Sequence, residues 1–299
     1  MLHGLLMRGM SLVPRPIMRR MAGRYIAGET LQEAVARLEL LGTQGYPGVL
    51  DILGEHVRDA AEARAAAEQY KRGADAIAAR ALDAYVSIKP THLGLLLGEE
   101  LALELYADVA AHCRELGVLV RVEMEDHLTT DATLRVFERL RARFANVGIV
   151  LQSRLLRTPD DVDALCGATA NGVLDVRMVK GVYLEPESIA HTEPEPIRAA
   201  FVDCCARLWR RGARVCPATH DPELAERLAL LLRELGKGPA DYEFQVLMGV
   251  REDLWPSWRA AGHPVRVYVP YGPEWRAYSQ RRMQRNPELF RAVLRNAWR

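Results

Sequence analysis

The sequence lacks long apolar runs and has no large excess of charge of either sign. No stretch approaches the roughly 18–20 apolar residues that cross a bilayer, which argues against a membrane-spanning helix. Forty Lys and Arg residues face 39 Asp and Glu residues, for a formal charge of +1. This balance disfavours a protein that coats nucleic acid.

Several motifs are also missing. The five cysteines are odd in number and have no C-x-x-C spacing, which disfavours a disulfide framework or a structural zinc site and fits a reducing compartment. The histidines form no H-x-H or H-E-x-x-H pair, so we expect no metal centre. The sequence has no G-x-G-x-x-G after its first strand, no G-x-x-x-x-G-K-[ST] and no G-x-S-x-G. These absences argue against the common nucleotide-binding sheets and against serine hydrolases.

What is present is a regular alternation of strand-like and helix-like segments. Of the 299 residues, 49% are hydrophobic, enough for a sizeable core. Strands are predicted over 48–53, 84–89, 118–124, 147–153, 174–180, 214–219, 243–248 and 265–270. Helices are predicted over 56–80, 98–116, 130–143, 194–211 and 221–236. Continuous apolar strands are typical of a parallel sheet buried on both faces, and this order predicts an α/β protein with a (β/α)8 barrel.

The chain divides into an extension and a barrel. Residues 1–45 have a helical pattern and no strand, and we interpret them as an N-terminal helical extension of a barrel at 46–299. In the first 23 residues, arginines alternate with Leu, Met and Ile. This pattern favours a helix that packs on the domain, with a transit-peptide-like or membrane-surface segment as the alternative.

Polar residues occur at the ends of the predicted strands, where a barrel of this kind carries its reacting groups. They are Lys89, Glu123, Gln152, Arg177, Lys180, Tyr183, Thr219, His220 and Tyr268, and two apolar residues, Met124 and Leu247, occupy equivalent strand ends. An unpaired charge in such apolar runs is costly, so we predict one shared site. Arg177 and Lys180 are three residues apart and reach the same site only if the strand ends between them.

A second group follows the last strand. On a helix, Tyr278, Arg281, Arg282 and Arg285 share one face. Forked guanidiniums suit a carboxylate ligand. The non-enzymatic alternative is a barrel that binds anions or nucleic acid through this basic face.

The strand-end motifs resemble those of the flavin-dependent proline dehydrogenases in their single-domain bacterial form. The resemblance covers residues 46–287 and rests on YVSIKPTHLG, VRVEMED, VGIVLQS, RMVKGVYLEP, ATHD, YEFQVLMGV and VRVYVPYGPEWRAYSQRRMQRNP, in this order. It implies a distorted (β/α)8 barrel that binds FAD, with its final helix over the mouth. It also implies oxidation of L-proline to 1-pyrroline-5-carboxylate, the first step of proline catabolism to glutamate.

The resemblance also implies roles for individual residues. The substrate carboxylate would be bound by Lys89, Arg281 and Arg282, and the substrate ring by Leu247, Tyr268 and Tyr278. The flavin would be contacted by Met124, Gln152, Arg177, Lys180, Gly181, Val182, Thr219 and His220. Arg177 would lie near flavin N5, and Glu123 would support the cationic groups in catalysis. Hydroxyproline or another cyclic amine is the alternative substrate.

Three positions depart from the family pattern. Glu123 stands where aspartate is usual, Arg285 replaces an acid in the final-helix motif, and Arg154 replaces an aromatic residue. The chain is too short to contain the aldehyde dehydrogenase module of the bifunctional relatives. The resemblance therefore implies a separate pyrroline-5-carboxylate dehydrogenase and a quinone as electron acceptor. We expect no nucleic-acid partner. We also expect a cytoplasmic location, and peripheral contact with the inner membrane face is the alternative.

Overall fold

The computed structural model describes residues 23–168 and 170–275, and in them eight parallel strands form a nearly closed barrel. The strands are β1 (Gly48–Ile52), β2 (Ala84–Ile88), β3 (Val120–Val122), β4 (Val147–Gln152), β5 (Asp175–Val179), β6 (Arg214–Pro217), β7 (Phe244–Leu247) and β8 (Val265–Tyr271). Neighbours in sequence pair from β1 to β6, and β8 pairs with both β1 and β7. Two isolated parallel bridges, Val215–Tyr242 and Ala218–Gln245, join the β6 and β7 sides. The predicted barrel is confirmed.

Helices alternate with these strands on the outside of the barrel. They are α1 (Leu31–Thr43), α2 (Ala60–Ala79), α3 (Glu99–Glu115), α4 (His127–Arg141), α5 (Thr158–Gly167), α6 (Pro194–Arg210), α7 (Pro222–Glu234) and α8 (Leu254–Ala260), with a 3-10 turn at Pro90–Leu93. Helix α4 begins three residues before its predicted start, because the Asp126 side chain accepts a hydrogen bond from Leu128 N and caps it there. Sequence reasoning missed α5 and α8, which are too short to show a clear helical period.

Helix α1 packs onto the barrel ahead of β1. A capping box starts it, in which Thr30 and Glu33 satisfy each other's backbone N–H groups. Its buried Leu38 lies against Gly48, where a Cβ would come within 2.1 Å of the leucine side chain. The helix is thus part of the main core. The boundary at residue 45 stays a prediction, and the final helix over the mouth and residues 1–22 lie outside the described residues.

No helix in the part of the chain that the structure describes is both long and apolar enough to span a membrane.

The barrel interior is unexpectedly ionic at the end where the strands begin. A chain of ion pairs crosses it: Asp175 pairs with Arg121 (2.6 Å) and Arg214 (2.9 Å), and Glu243 pairs with Arg214 (2.8 Å) and Arg266 (2.7 Å). Burial alone would raise the pKa of Asp175 and Glu243, but the flanking guanidiniums outweigh it and hold both pKa values below their usual range. Each buried charge in this chain of ion pairs therefore has an opposite charge beside it.

Replacing Asp175 with asparagine should destabilise the fold strongly. Two guanidiniums would lose their shared carboxylate inside the barrel, and removing one partner of a buried pair costs about 3–5 kcal/mol. Urea unfolding measures the loss. Because the folded pKa of Asp175 is lowered, its contribution is complete above the unfolded pKa and disappears as pH falls through the folded value.

The matched control is Asp83→Asn, which removes a carboxylate paired with Arg266 at 3.0 Å but 71% exposed. An exposed pair contributes about 0–1 kcal/mol. Equal losses of unfolding free energy in the two variants would contradict the importance of the buried ion pairs.

Candidate active site

Arg177 is the centre of a cluster at the carboxyl ends of the strands. Its side chain points into the barrel from β5 and is 3% exposed. The guanidinium stacks over the ring of Tyr268 on β8, with its carbon 5.0 Å from the ring centroid. It donates to Glu123 Oε1 (2.5 Å), Gln245 Oε1 (2.6 Å), Ser87 Oγ (3.2 Å) and Tyr85 Oη (3.2 Å). Every guanidinium nitrogen therefore has a partner, which fixes its orientation.

Glu123 follows β3 and is the main counter-ion of Arg177. Its Oε1 also accepts from Ser87 Oγ (2.5 Å) and from the Tyr268 hydroxyl (3.1 Å). Burial opposes its charge, but Arg177 and the Ser87 hydroxyl outweigh this and lower the pKa of Glu123. The carboxylate thus stays ionised beside the guanidinium, and the longer arm of glutamate reaches it.

Lys89 and Asp51 form a second pair in the same mouth. Lys89 follows β2, and its Nζ lies 3.4 Å from Oδ1 of Asp51 on β1. Burial raises the pKa of Asp51 to about 6, although the Lys89 ammonium lowers it. The structure therefore brings together four of the predicted residues, Lys89, Glu123, Arg177 and Tyr268, with a carboxylate that sequence reasoning missed.

Lys180 lies just beyond the end of β5, where the chain has left the strand. Its Nζ contacts Asp221 Oδ2 at 2.5 Å, and Arg198 Nε reaches the same oxygen at 2.6 Å. Burial would raise the pKa of Asp221, but these two cations lower it to about 2. Arg177 and Lys180 are thus directed to the barrel interior and to its rim, respectively.

The remaining predicted flavin positions line the ends of β3 to β7. Gln152 is buried and donates to the backbone oxygen of Glu125 at 2.7 Å. Thr219 accepts from Asp221 N at 3.1 Å, and Leu247 N donates to His220 Nε2 at 3.2 Å. Met124 is buried, and Val182 is exposed on the loop after β5. Leu247, at the end of β7, is partly buried.

Arg154, just after the end of β4, contacts the backbone of the loop that follows β5. Its guanidinium donates to the Tyr183 backbone oxygen, and its own N–H donates to Lys180 O at 3.0 Å. Arg154 therefore braces the backbone of residues 180–183.

Gly181 packs closely against the side chain of Gln152 in this loop. Its φ is +97°, and a Cβ there would lie 2.8 Å from Gln152 Oε1 and 3.5 Å from Arg154 Cδ. Replacing Gly181 with alanine should cost about 1–3 kcal/mol of local strain and displace the loop. We expect weaker flavin binding, measured by fluorescence titration of the apoprotein.

Gly212→Ala is the control, because Gly212 also has a positive φ (+78°) but has nothing within 4 Å of its Cβ position. It shares the backbone strain without the contact. If both variants bind flavin equally, the close approach at Gly181 has no role in the site.

Sequence reasoning missed several polar partners because they lie inside strands that read as apolar. They are Asp51, Tyr85, Ser87 and Gln245, with Asp221 at the start of α7. Asp51 had a usable signal, as the one charged residue in the run GVLDIL. Tyr278, Arg281, Arg282 and Arg285 lie outside the described residues.

A family model described as proline dehydrogenase matches residues 34–289. The chain belongs to the proline dehydrogenase family. It is 34% identical to the proline dehydrogenase of Deinococcus radiodurans over 278 residues, covering 91% of this chain and 88% of that protein. It is 31% identical to proline dehydrogenase 1 of Bacillus subtilis strain 168 over 274 residues, covering 92% and 89%.

Solved structures of larger proteins share the fold of this proline dehydrogenase family member. Proline utilization A from Bdellovibrio bacteriovorus, inactivated by N-propargylglycine, superposes with a TM-score of 0.82 at 24% identity and covers 88% of this chain. A mutant of the Bradyrhizobium japonicum protein superposes with a TM-score of 0.74, also at 24% identity and 88% coverage. The chain spans 32% and 30% of those two proteins.

Proposed function

We propose that this protein oxidises L-proline to 1-pyrroline-5-carboxylate with FAD as the hydride acceptor, and that the electrons pass on to a quinone. Membership of the proline dehydrogenase family supports the reaction. The observation that links the reaction to particular residues is the cluster of Lys89, Glu123, Arg177 and Tyr268 at the strand ends. In barrels of this kind the reacting groups lie at that end.

The residues at the mouth suit a flavin. When bound, FAD would supply a two-electron acceptor for hydride. Gly181 lets the loop backbone pack closely against Gln152, and Lys180 gives the rim a cation suited to a phosphate. Arg177 gives the interior a fixed cation suited to an electron-rich ring edge. With these three, Met124, Gln152, Val182, Thr219 and His220 would hold the cofactor.

The remaining residues would orient the substrate. Lys89, with Arg281 and Arg282, would bind the carboxylate through charge-assisted hydrogen bonds. Leu247, Tyr268 and Tyr278 would enclose the ring and exclude water. Fixing the ring carbon against the acceptor is the protein's main contribution, since orientation lowers the barrier without new chemistry.

The electron acceptor and the cellular setting follow as part of the same proposal. Reduced flavin must be reoxidised, and a membrane quinone would account for the arginine-rich first 23 residues. The protein would act in the cytoplasm, with peripheral contact at the inner membrane face. Its product would pass to a separate pyrroline-5-carboxylate dehydrogenase.

The test is turnover by the FAD-reconstituted protein with an artificial electron acceptor, with the product trapped by an aromatic amino-aldehyde. We expect a trapped cyclic imine from L-proline and much less from 4-hydroxyproline. Faster turnover of 4-hydroxyproline would indicate that hydroxyproline is the preferred substrate. A reconstituted flavoprotein that forms no imine from either compound would contradict the proposal.

A further inference from the structure

Asp51 has a buried carboxylate oxygen that the described residues leave without a hydrogen bond. The residue is 1% exposed, and its Oδ1 lies 3.4 Å from Lys89 Nζ. Its Oδ2 is buried and accepts no hydrogen bond from the residues that the structure describes. Leaving a charged acceptor buried and unsatisfied is costly, so such an atom in the mouth indicates a ligand.

The other carboxylates around the mouth already accept hydrogen bonds from neighbouring residues. Glu123 Oε1 accepts from Arg177, Ser87 and Tyr268. Both oxygens of Glu125 accept from Thr91, and Asp221 is held by two cations at the rim. Of these four residues, Asp51 is the one with a carboxylate oxygen that is buried and has no hydrogen-bond donor among the residues that the structure describes.

The pair of Asp51 and Lys89 also matches the charges of an amino acid. In proline the carboxylate and the ring ammonium are separated by a single carbon, and in the protein the two opposite charges are 3.4 Å apart. Lys89 would meet the carboxylate, which leaves the ammonium beside Asp51. A zwitterion bound in this way leaves neither of its charges uncompensated.

We propose that the Asp51 carboxylate binds the ring ammonium of the substrate and accepts the proton that the nitrogen must lose before hydride leaves. This inference rests on the proposed function. The N–H bond breaks and an O–H bond forms on Asp51 Oδ2. With FAD bound, the C5–H electron pair would leave with its hydrogen as hydride to the acceptor, while the nitrogen lone pair would form the C5=N bond. Proline would lose the two electrons that the acceptor gains, and the first product would be the protonated imine.

The surroundings of Asp51 suit a proton acceptor near neutral pH. Burial raises its pKa to about 6, close to the working range that general-base catalysis favours. The titratable groups that interact with it come from several elements: Lys89, Glu123, Tyr268, Tyr70 and Tyr271. Lys89 and the Tyr268 hydroxyl favour its ionised form, while Glu123 opposes it.

The test compares two ligands on the FAD-loaded wild type and on Asp51→Asn. L-Proline carries the ammonium, and tetrahydrofuran-2-carboxylate has the same ring and carboxylate with oxygen in place of nitrogen. In the variant we expect anaerobic flavin reduction by proline to fall roughly 100-fold or more. The dissociation constant of the ring-oxygen analogue, measured from the perturbed flavin spectrum, should stay unchanged. Asp83→Asn, at the opposite end of the barrel, is the matched control and should behave as the wild type.

Two results would overturn the inference. Wild-type reduction rates in Asp51→Asn would remove Asp51 from proton transfer. An equal loss of affinity for both ligands would mean that Asp51 only positions Lys89. A wild type that binds no flavin or leaves proline unreacted would instead contradict the proposed function, so the two failures are distinguishable.

A measurement on the wild type alone covers the case in which Asp51→Asn does not fold. As pH falls through about 6, Asp51 gains a proton and loses its capacity to accept one. The rate of flavin reduction by proline should therefore fall, while the ring-oxygen analogue remains bound. Identical pH profiles for the reduction rate and for analogue binding would overturn the inference.

Discussion

Replacing Arg177 with methionine is expected to reduce proline oxidation roughly 100- to 1000-fold, the loss typical of a fixed charge that stabilises a transition state. The same change should lower the free energy of unfolding by about 3–5 kcal/mol, because Glu123 would remain buried without its main counter-ion. The measurements are steady-state turnover of the FAD-loaded protein and urea unfolding.

A double variant separates these two effects. Adding Glu123→Gln to Arg177→Met removes the stranded carboxylate while keeping a side chain of the same length. We expect most of the lost stability to return and the activity to remain low. Recovery of activity along with stability would mean that Arg177 acts only by holding the fold together.

Replacing Lys89 with methionine is expected to raise the KM for proline about 100-fold, since a buried charged partner of the substrate is worth several kcal/mol. Methionine keeps the aliphatic stem and removes the ammonium. Bound flavin should be retained, because the predicted flavin contacts lie on other strand ends. Steady-state kinetics and the flavin content of the purified variant measure the two effects.

Lys71→Met is the matched control for this change. Lys71 lies on α2, outside the barrel, and its ammonium pairs with Glu68 (2.6 Å) and with Asp108 of α3 (2.8 Å). Its loss should leave the KM unchanged. A normal KM in Lys89→Met, or an equal rise in both variants, would contradict a direct contact between Lys89 and the substrate.

The sequence predicts the barrel well because its strands are short apolar runs separated by long helical segments. All eight strands lie where the pattern places them, as β1 at Gly48–Ile52 illustrates. The residues at the strand ends could be predicted for a related reason. A parallel barrel brings the carboxyl ends of its strands together, so Lys89, Glu123 and Arg177 converge without any knowledge of contacts.

The polar interior could not be predicted in the same way. Arg121 and Asp175 lie on different strands, 54 positions apart, and their pairing depends on which side chains point inward at the same level. Gln245 likewise bridges Arg177 and Tyr85 across the barrel. Such contacts follow from the strand register and tilt, which a single sequence does not specify.

Asp51 shows both the strength and the limit of reading a sequence alone. Its charge within an apolar strand is visible in the sequence, but its closeness to Lys89 appears only when β1 and β2 pair in parallel with Asp51 opposite Ser87. Lys180 shows the reverse. Spacing alone places it opposite Arg177, and the end of β5 at Val179 explains why it reaches the rim.

The most direct measurement is the visible absorption spectrum of the purified protein loaded with FAD, recorded without oxygen before and after L-proline is added. We expect the absorption of the oxidised flavin to bleach with one proline consumed per flavin reduced, and to return when a quinone is added. A bound flavin that stays oxidised at saturating proline, or a protein that binds no FAD, would contradict a flavin-dependent proline dehydrogenase built around Arg177 and Lys89.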